Sequence, residues 1–259
     1  MEISALIQNI LFYATLPGVM GLVCVLVFML WDRKRGQLMM LDLSAAVSTA
    51  LLLKEIFKVP RPWLMHIETA PYLAEGGYAL PCLHTQLTAA VLCSLVLTSK
   101  RKTIRFLCAA GISLTAGMRV FAGQQTLPDV LTGAAVGILI AFLLTRFYFA
   151  SSQRRAIIID LIVMIPGLAA ALLVQDGWGL GTSLTVLLLD LLEKPMQKAE
   201  SGRTTFRKIY GTFFAAGLYI GMIIFLPFIV EWFITPLWPG QTLIVFLITF
   251  FPCLLFMFI

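Results

Sequence analysis

A chain of 259 residues with 60% hydrophobic and only 12% charged side chains, at a mean hydropathy of +0.95, carries more apolar surface than a soluble globule of this size conceals. Lipid is the solvent that fits. The net charge of +6, from 19 Lys and Arg against 13 Asp and Glu, sits in short loops between apolar runs, which argues for topology and anionic headgroups and against a nucleic-acid-binding surface.

Residues 1–10 contain Glu2 and no basic residue, unlike the start of a cleavable signal, so the first apolar run reads as a retained span. Nine segments are long and apolar enough to be candidate crossings: 10–31, 37–57, 80–98, 104–122, 128–149, 156–174, 178–193, 209–231 and 241–259. Their continuous rather than alternating apolarity predicts helices and not a barrel. The expected fold is all-α, a polytopic transmembrane helical bundle of about nine spans. A polar loop at 194–208 follows the seventh segment, and the division expected is a membrane core at 1–155 and a C-terminal transmembrane extension at 156–259.

The five cysteines, Cys24, Cys82, Cys93, Cys108 and Cys253, are odd in number and lack metal-ligand spacing. Neither a disulfide framework nor a zinc site is predicted. No cofactor or metal is expected.

Basic residues cluster after alternate segments. Arg33, Lys34 and Arg35 follow the first; Lys100, Arg101, Lys102 and Arg105 the third. Arg146, Arg154 and Arg155 flank the end of the fifth, and Lys194, Lys198, Arg203, Arg207 and Lys208 follow the seventh. These are 15 of the 19 basic residues. The positive-inside rule makes their loops cytoplasmic, with the N-terminus outside and the C-terminus inside. Lys54, Lys58, Arg61 and Arg119 fall on the opposite face and need another reason, since charge beside a span is costly.

Lys54 and Arg61 lie seven residues apart, nearly two helical turns, and Pro60 and Pro62 are expected to end the helix there. Pro81 suits the first turn of the third segment and puts His84 just inside the same face. Arg119 closes the fourth segment; Gln125 and then Asp129 lead into the fifth. Each has an ordinary explanation alone: snorkelling for the cations, a local hydrogen bond for the imidazole, the helix dipole for Asp129. Together, two guanidinium groups, an ammonium and an imidazole meet, with Asp129, at the ends of four segments, a set suited to a phosphate group. The imidazole adds a proton donor for a leaving oxygen. Asp42 and Asp160, inside or near spans, are expected near cytoplasmic span ends.

The ordered pattern Lys54, Arg61-Pro62, Pro81-Cys82-Leu83-His84, Arg119, position 125 and Asp129 resembles the three-part signature of the type 2 phosphatidic acid phosphatase (lipid phosphate phosphatase) family. The resemblance covers residues 37–149; the back part, 156–259, is similar to the extension of some longer bacterial members. It implies a plasma-membrane protein that acts without metal on lipid phosphates or pyrophosphates at the outer face. Carried over, Lys54, Arg61 and Arg119 would hold the phosphate, His84 would protonate the leaving group, and Asp129 would orient position 125, where the family has its histidine nucleophile.

Here position 125 is Gln, whose amide nitrogen is not basic and cannot take a phosphoryl group. The family's Pro-Ser-Gly-His has become Pro81-Cys82-Leu83-His84, the serine before the last arginine is Met118, and the following proline falls one residue late, at Pro128. The reading that follows is a catalytically impaired relative that binds a lipid phosphate or pyrophosphate headgroup. One alternative is an active phosphatase using altered chemistry, with Cys82 as the substitute nucleophile or water attacking directly. Another is a lipid transporter or scaffold built on the same fold. No protein partner is specified.

Overall fold

The computed structural model describes residues 10, 12–65, 77–149, 151–192, 217 and 238–255, and among them there is helix and no strand. Eight principal helices run in order: α1 Pro17–Leu30, α2 Arg33–Phe57, α3 Leu83–Thr98, α4 Lys102–Phe121, α5 Leu127–Leu144, α6 Gln153–Leu173, α7 Trp178–Leu191 and α8 Trp238–Leu255. A single turn, Pro62–Met65, follows α2, and α5 continues into a π-helical turn, Thr145–Phe149. Eight of the nine expected segments thus have a helix. The ninth, 209–231, lies outside the described residues apart from Gly217, as does the loop 194–208.

Local chemistry explains the boundaries. Pro17 opens α1 at a position that needs no N–H. Asp32 caps α2 by accepting from Arg35 N at 2.8 Å. Lys58 ends α2 in the left-handed region at φ 49, before Pro60 can disrupt the helix. The third segment differs from expectation. Pro81 is not in a first turn: Leu80–Pro81 is cis, Cys82 is the N-cap, and α3 starts at Leu83 with 16 residues.

Four described stretches are long and apolar enough to cross a membrane: Arg33–Leu64, Lys102–Phe121, Leu127–Phe149 and Gln153–Leu173. Pro17–Leu30, Leu83–Thr98, Trp178–Leu191 and Leu243–Leu254 are apolar but shorter, below the roughly 20 residues a perpendicular crossing needs. Among the described residues, four helices thus meet the length and composition of a span.

Helix α2 is the axis of the bundle and packs on α1, α3, α6 and α7. Of the most apolar window in its stretch 78% is buried, against 17% for α4. Small side chains allow this: Ser44, Ala46, Ser48 and Ala50 are fully enclosed. Around it, α4, α5 and α6 turn large apolar side chains outward, among them Phe106, Phe121, Leu131, Phe142, Ile162 and Ile165. Such a band belongs against lipid.

The broadest contact joins α3 and α5. It depends on two glycines one turn apart. A Cβ on Gly133 would stand 2.6 Å from the Cys82 carbonyl oxygen, and one on Gly137 would overlap the Gln86 carbonyl oxygen. This is the small-xxx-small device that lets two helix backbones touch in lipid. Gln86 then ties α3 to α2, donating to Ala46 O at 3.1 Å and Thr49 Oγ1 at 2.8 Å.

The back helices are joined to α2 by polar contacts. Ser44 Oγ donates to Gly179 O at 2.6 Å. Asp190 on α7, fully buried, accepts from Gln37 Nε2 at 2.9 Å and Tyr148 Oη at 2.8 Å, with Lys34 Nζ at 3.8 Å. Asp160 lies beside Asp190, and Asp42 beside Ser94. Both carboxyls are fully buried, about two turns or more inside α6 and α2. Both sit in the first half of their helices, on the side where Lys34, Gln37 and Gln153 reach Asp190.

The bundle has two chemically distinct ends. Arg35 Nη2 donates to Thr98 O at 3.2 Å and Arg105 Nε to Ser99 O at 2.9 Å. Gln153 Nε2 reaches Asp190 O at 2.7 Å. The basic loops after the first, third and fifth segments are thereby gathered at one end. Lys54, Arg61, His84, Arg119, Gln125 and Asp129 occupy the other.

Candidate functional site

Lys54 enters the site from the last turn of α2 and Arg61 from the segment just beyond it. His84 comes from the first turn of α3, Arg119 from the last turn of α4, and Asp129 from the first turn of α5. All of them, and Gln125, are buried, each at 8% exposure or less. For charged groups that is affordable only with polar partners.

The segment 77–79 supplies several. Lys54 Nζ donates to the Tyr78 carbonyl and, at 3.5 Å, to Ala79 O. Arg61 Nε donates to Gly77 O at 3.2 Å. Ala79 N in turn donates to Val59 O at 2.8 Å, fixing this segment to the end of α2.

Asp129 is set by its helix. Thr126 and Asp129 form a reciprocal capping box: Thr126 N and Oγ1 donate to Asp129 Oδ2 at 2.8 and 2.7 Å. Cys82 N donates to Asp129 O at 3.0 Å, joining the start of α3 to the start of α5. The sequence expectation of a first-turn carboxylate is met with one addition, that the capping threonine holds it.

Gln125 joins these parts. With its amide oriented so that donors meet acceptors, Nε2 donates to Ala79 O at 3.0 Å and Asp129 Oδ2 at 3.3 Å, while Oε1 accepts from Arg61 Nη1 at 2.9 Å. A carboxamide has a donor end and an acceptor end, and here the two face a carboxylate and a guanidinium. Position 125 therefore bridges the acidic and the basic members of the set.

Lys54, Arg61 and His84 line one cavity of about 320 Å³, together with Glu55, Tyr78 and Leu83. That is within the range of small-ligand sites, roughly 300–1,000 Å³. Arg119 does not line it. Its guanidinium reaches Gln124 Oε1 and lies 5.1 Å from the centre of the Phe12 ring. The same ring is 5.5 Å from His84. Phe12 thus touches both the arginine and the imidazole.

Lys58, the fourth cation off the basic end, is an exposed helix cap outside this group. Cys82 is fully buried, its Sγ accepts from Thr85 Oγ1 at 3.3 Å, and it does not line the cavity with His84. Sequence reasoning missed Phe12, Gln124, Glu55 and the carbonyls of 77–79. An aromatic in an apolar run and a backbone carbonyl carry no signal in a single sequence. Gln124 had one, as a second glutamine beside Gln125.

The ordered cations, histidine and aspartate now stand in space as they do in sequence, at the ends of packed helices, and residues 36–153 match the family model described as PAP2 superfamily. Over that stretch the chain is similar to the PAP2 superfamily. The match spans α2 to the start of α6 and holds every candidate site residue except Phe12. No curated protein and no solved structure matches the chain. This similarity and the long apolar helices are consistent with an integral membrane protein. Among the described residues no group of three or more His, Cys, Asp and Glu is placed to hold a metal ion.

Proposed function

We propose that this PAP2-like domain binds the phosphate or pyrophosphate headgroup of a membrane lipid at the outer face and hydrolyses it poorly or not at all. The observation that carries the reading is Gln125, hydrogen-bonded between Asp129 and Arg61 at the position where the family places its histidine nucleophile. Lys54 and Arg61 supply charge to the cavity, and His84 a proton donor beside it. Electrostatic recognition of a phosphate needs those groups and no nucleophile. Phosphoryl transfer to the protein needs a nucleophile, and a carboxamide is not one.

The outer-face placement rests on the basic loops gathered at the other end of the bundle. A thiol route through Cys82 is the weaker reading, because its Sγ is enclosed and already accepts a hydrogen bond from Thr85. Direct attack by water on a held phosphate is compatible with the cavity and is an outcome of the test below.

Purified protein in detergent is offered phosphatidic acid or a polyprenyl pyrophosphate, and both retention and phosphate release are measured. Retention without release supports the reading. Robust release by the wild type, persisting in Cys82→Ser, overturns it in favour of water chemistry. Absence of retention removes the headgroup site altogether and leaves the transporter or scaffold alternative.

A further inference from the structure

At the basic end, the π-helical turn Thr145–Phe149 and the start of α6 enclose a groove of about 610 Å³. Its walls are apolar, with Phe147, Ile158 and Ile162 each more than half exposed. Its mouth is polar: Arg146, Arg155 and Ser151. The π turn interrupts the α-helical hydrogen-bond ladder at the end of α5, and such turns are frequent at functional sites.

The two arginines differ from their neighbours. Arg35 and Arg105 spend their guanidinium groups on the Thr98 and Ser99 carbonyls. Arg146 and Arg155 are exposed, and among the described residues neither meets a carboxylate. Two guanidinium groups at the rim of an apolar slot match an amphiphile whose head is anionic and whose tail is hydrocarbon. Ile162 lies seven residues past Arg155, about 10 Å deeper along α6, so head and tail sites are separated along the membrane normal as they are in a phospholipid. A soluble phosphate would use only the mouth and leave the apolar walls in contact with nothing of its own.

We propose that this groove is a binding site for an anionic phospholipid of the leaflet at the basic end, its phosphate between Arg146 and Arg155 and an acyl chain against Phe147, Ile158 and Ile162. The site is separate from the cavity of Lys54, Arg61 and His84. Asp129 and Arg146 are 17 residues apart on one nearly continuous helix, about 25 Å, which puts the two sites toward opposite leaflets.

The test uses the full chain in phosphatidylcholine vesicles containing spin-labelled phosphatidylglycerol or, in parallel, spin-labelled phosphatidylcholine. The wild type should immobilise the anionic label preferentially. Arg146→Gln with Arg155→Gln should reduce that preference about 30-fold, at roughly 1 kcal/mol for each surface arginine on an anionic lipid. Arg154→Gln, beside Arg155 on α6 but outside the groove, should leave it intact. Ile158→Trp or Ile162→Trp, which fill the slot from side chains already facing lipid, should lower it with both arginines present. Preference retained in the double variant, or lost equally in Arg154→Gln, would mean a diffuse basic surface and overturn the site. Preference retained in both tryptophan variants would overturn the acyl-chain half.

Discussion

Gln125 donates its amide N–H to Asp129 Oδ2 at 3.3 Å. An aspartate that the helix start already holds through Thr126 is thereby pointed at the residue four positions before it. The geometry for orienting a ring nitrogen at position 125 is in place, and the side chain there offers an amide. Gln125→His is expected to raise phosphate release from phosphatidic acid above the wild-type level by at least about 100-fold, a fraction of the 10⁴–10⁶ that a lost nucleophile costs elsewhere. The gain should vanish when His84→Ala is added. Release measured in detergent micelles decides it, and an inert Gln125→His that still binds lipid would show that the cavity, and not the missing imidazole, blocks the chemistry.

Arg61 and Arg119 reach the site differently, and their substitutions should separate. Arg61 lines the cavity and holds Gln125; Arg119 sits against Phe12 and Gln124. Removing a charged hydrogen-bond donor from a phosphate costs about 1.5–3 kcal/mol, so Arg61→Ala should weaken headgroup retention by about tenfold or more. Arg119→Ala should weaken it as well only if headgroup binding displaces Phe12. Comparing Arg119→Ala with and without Phe12→Ala, by titration of a lipid phosphate, reads this directly.

Gly137 and Gly133 set the distance between α3, which carries His84, and α5, which carries Asp129. A Cβ at either meets backbone, which cannot swing away as a side chain can. Gly137→Ala is expected to lower stability by about 1–3 kcal/mol and to weaken headgroup retention in parallel. Gly117→Ala, where an added Cβ meets nothing, is the control. Thermal unfolding in detergent reports the first effect.

Asp190 is a buried carboxylate with an amide, a phenol and an ammonium around it. Asp190→Ala leaves Lys34, Gln37 and Tyr148 facing an empty space, and breaking a buried charge cluster costs about 3–5 kcal/mol. A marked drop in unfolding temperature is expected, with Asp190→Asn intermediate because it keeps an acceptor. If both variants unfold with the wild type, α7 is not held to the core through this residue.

Asp176 lies in the turn between α6 and α7. Burial pushes its carboxyl above the ordinary range, while the hydrogen bond from Trp178 N at 3.0 Å acts the other way. A carboxyl with a raised folded pKa binds its proton more tightly when folded. Stability should therefore be greatest below the unfolded value, near 3.8, fall as pH rises through the interval up to the folded value, and level off above it. Asp176→Asn should flatten that slope while keeping the acceptor for Trp178, as followed by unfolding temperature against pH.

The sequence by itself determined the class of protein, the helices and the identity of the charged set. Continuous apolar runs bounded by prolines and caps place α2, α4, α5 and α6 within a few residues, because helix formation in lipid depends on local composition and on satisfying the backbone internally. Residues fixed at intervals along the chain, Lys54, Arg61, His84, Arg119 and Asp129, were legible as a pattern because their spacing is one-dimensional. What only the tertiary structure decided is whatever depends on approach between helices. The carbonyls of Gly77, Tyr78 and Ala79 became partners of Lys54 and Arg61, and Phe12 came to lie against both His84 and Arg119. Above all, the structure made Gln125 a bridge between Asp129 and Arg61. Sequence showed only a glutamine there, where the resemblance implies a histidine. A hydrogen bond between residues far apart in sequence is set by how their segments approach, and the meeting of Gln125, just before α5, with Arg61, just beyond α2, is encoded by nothing local to position 125.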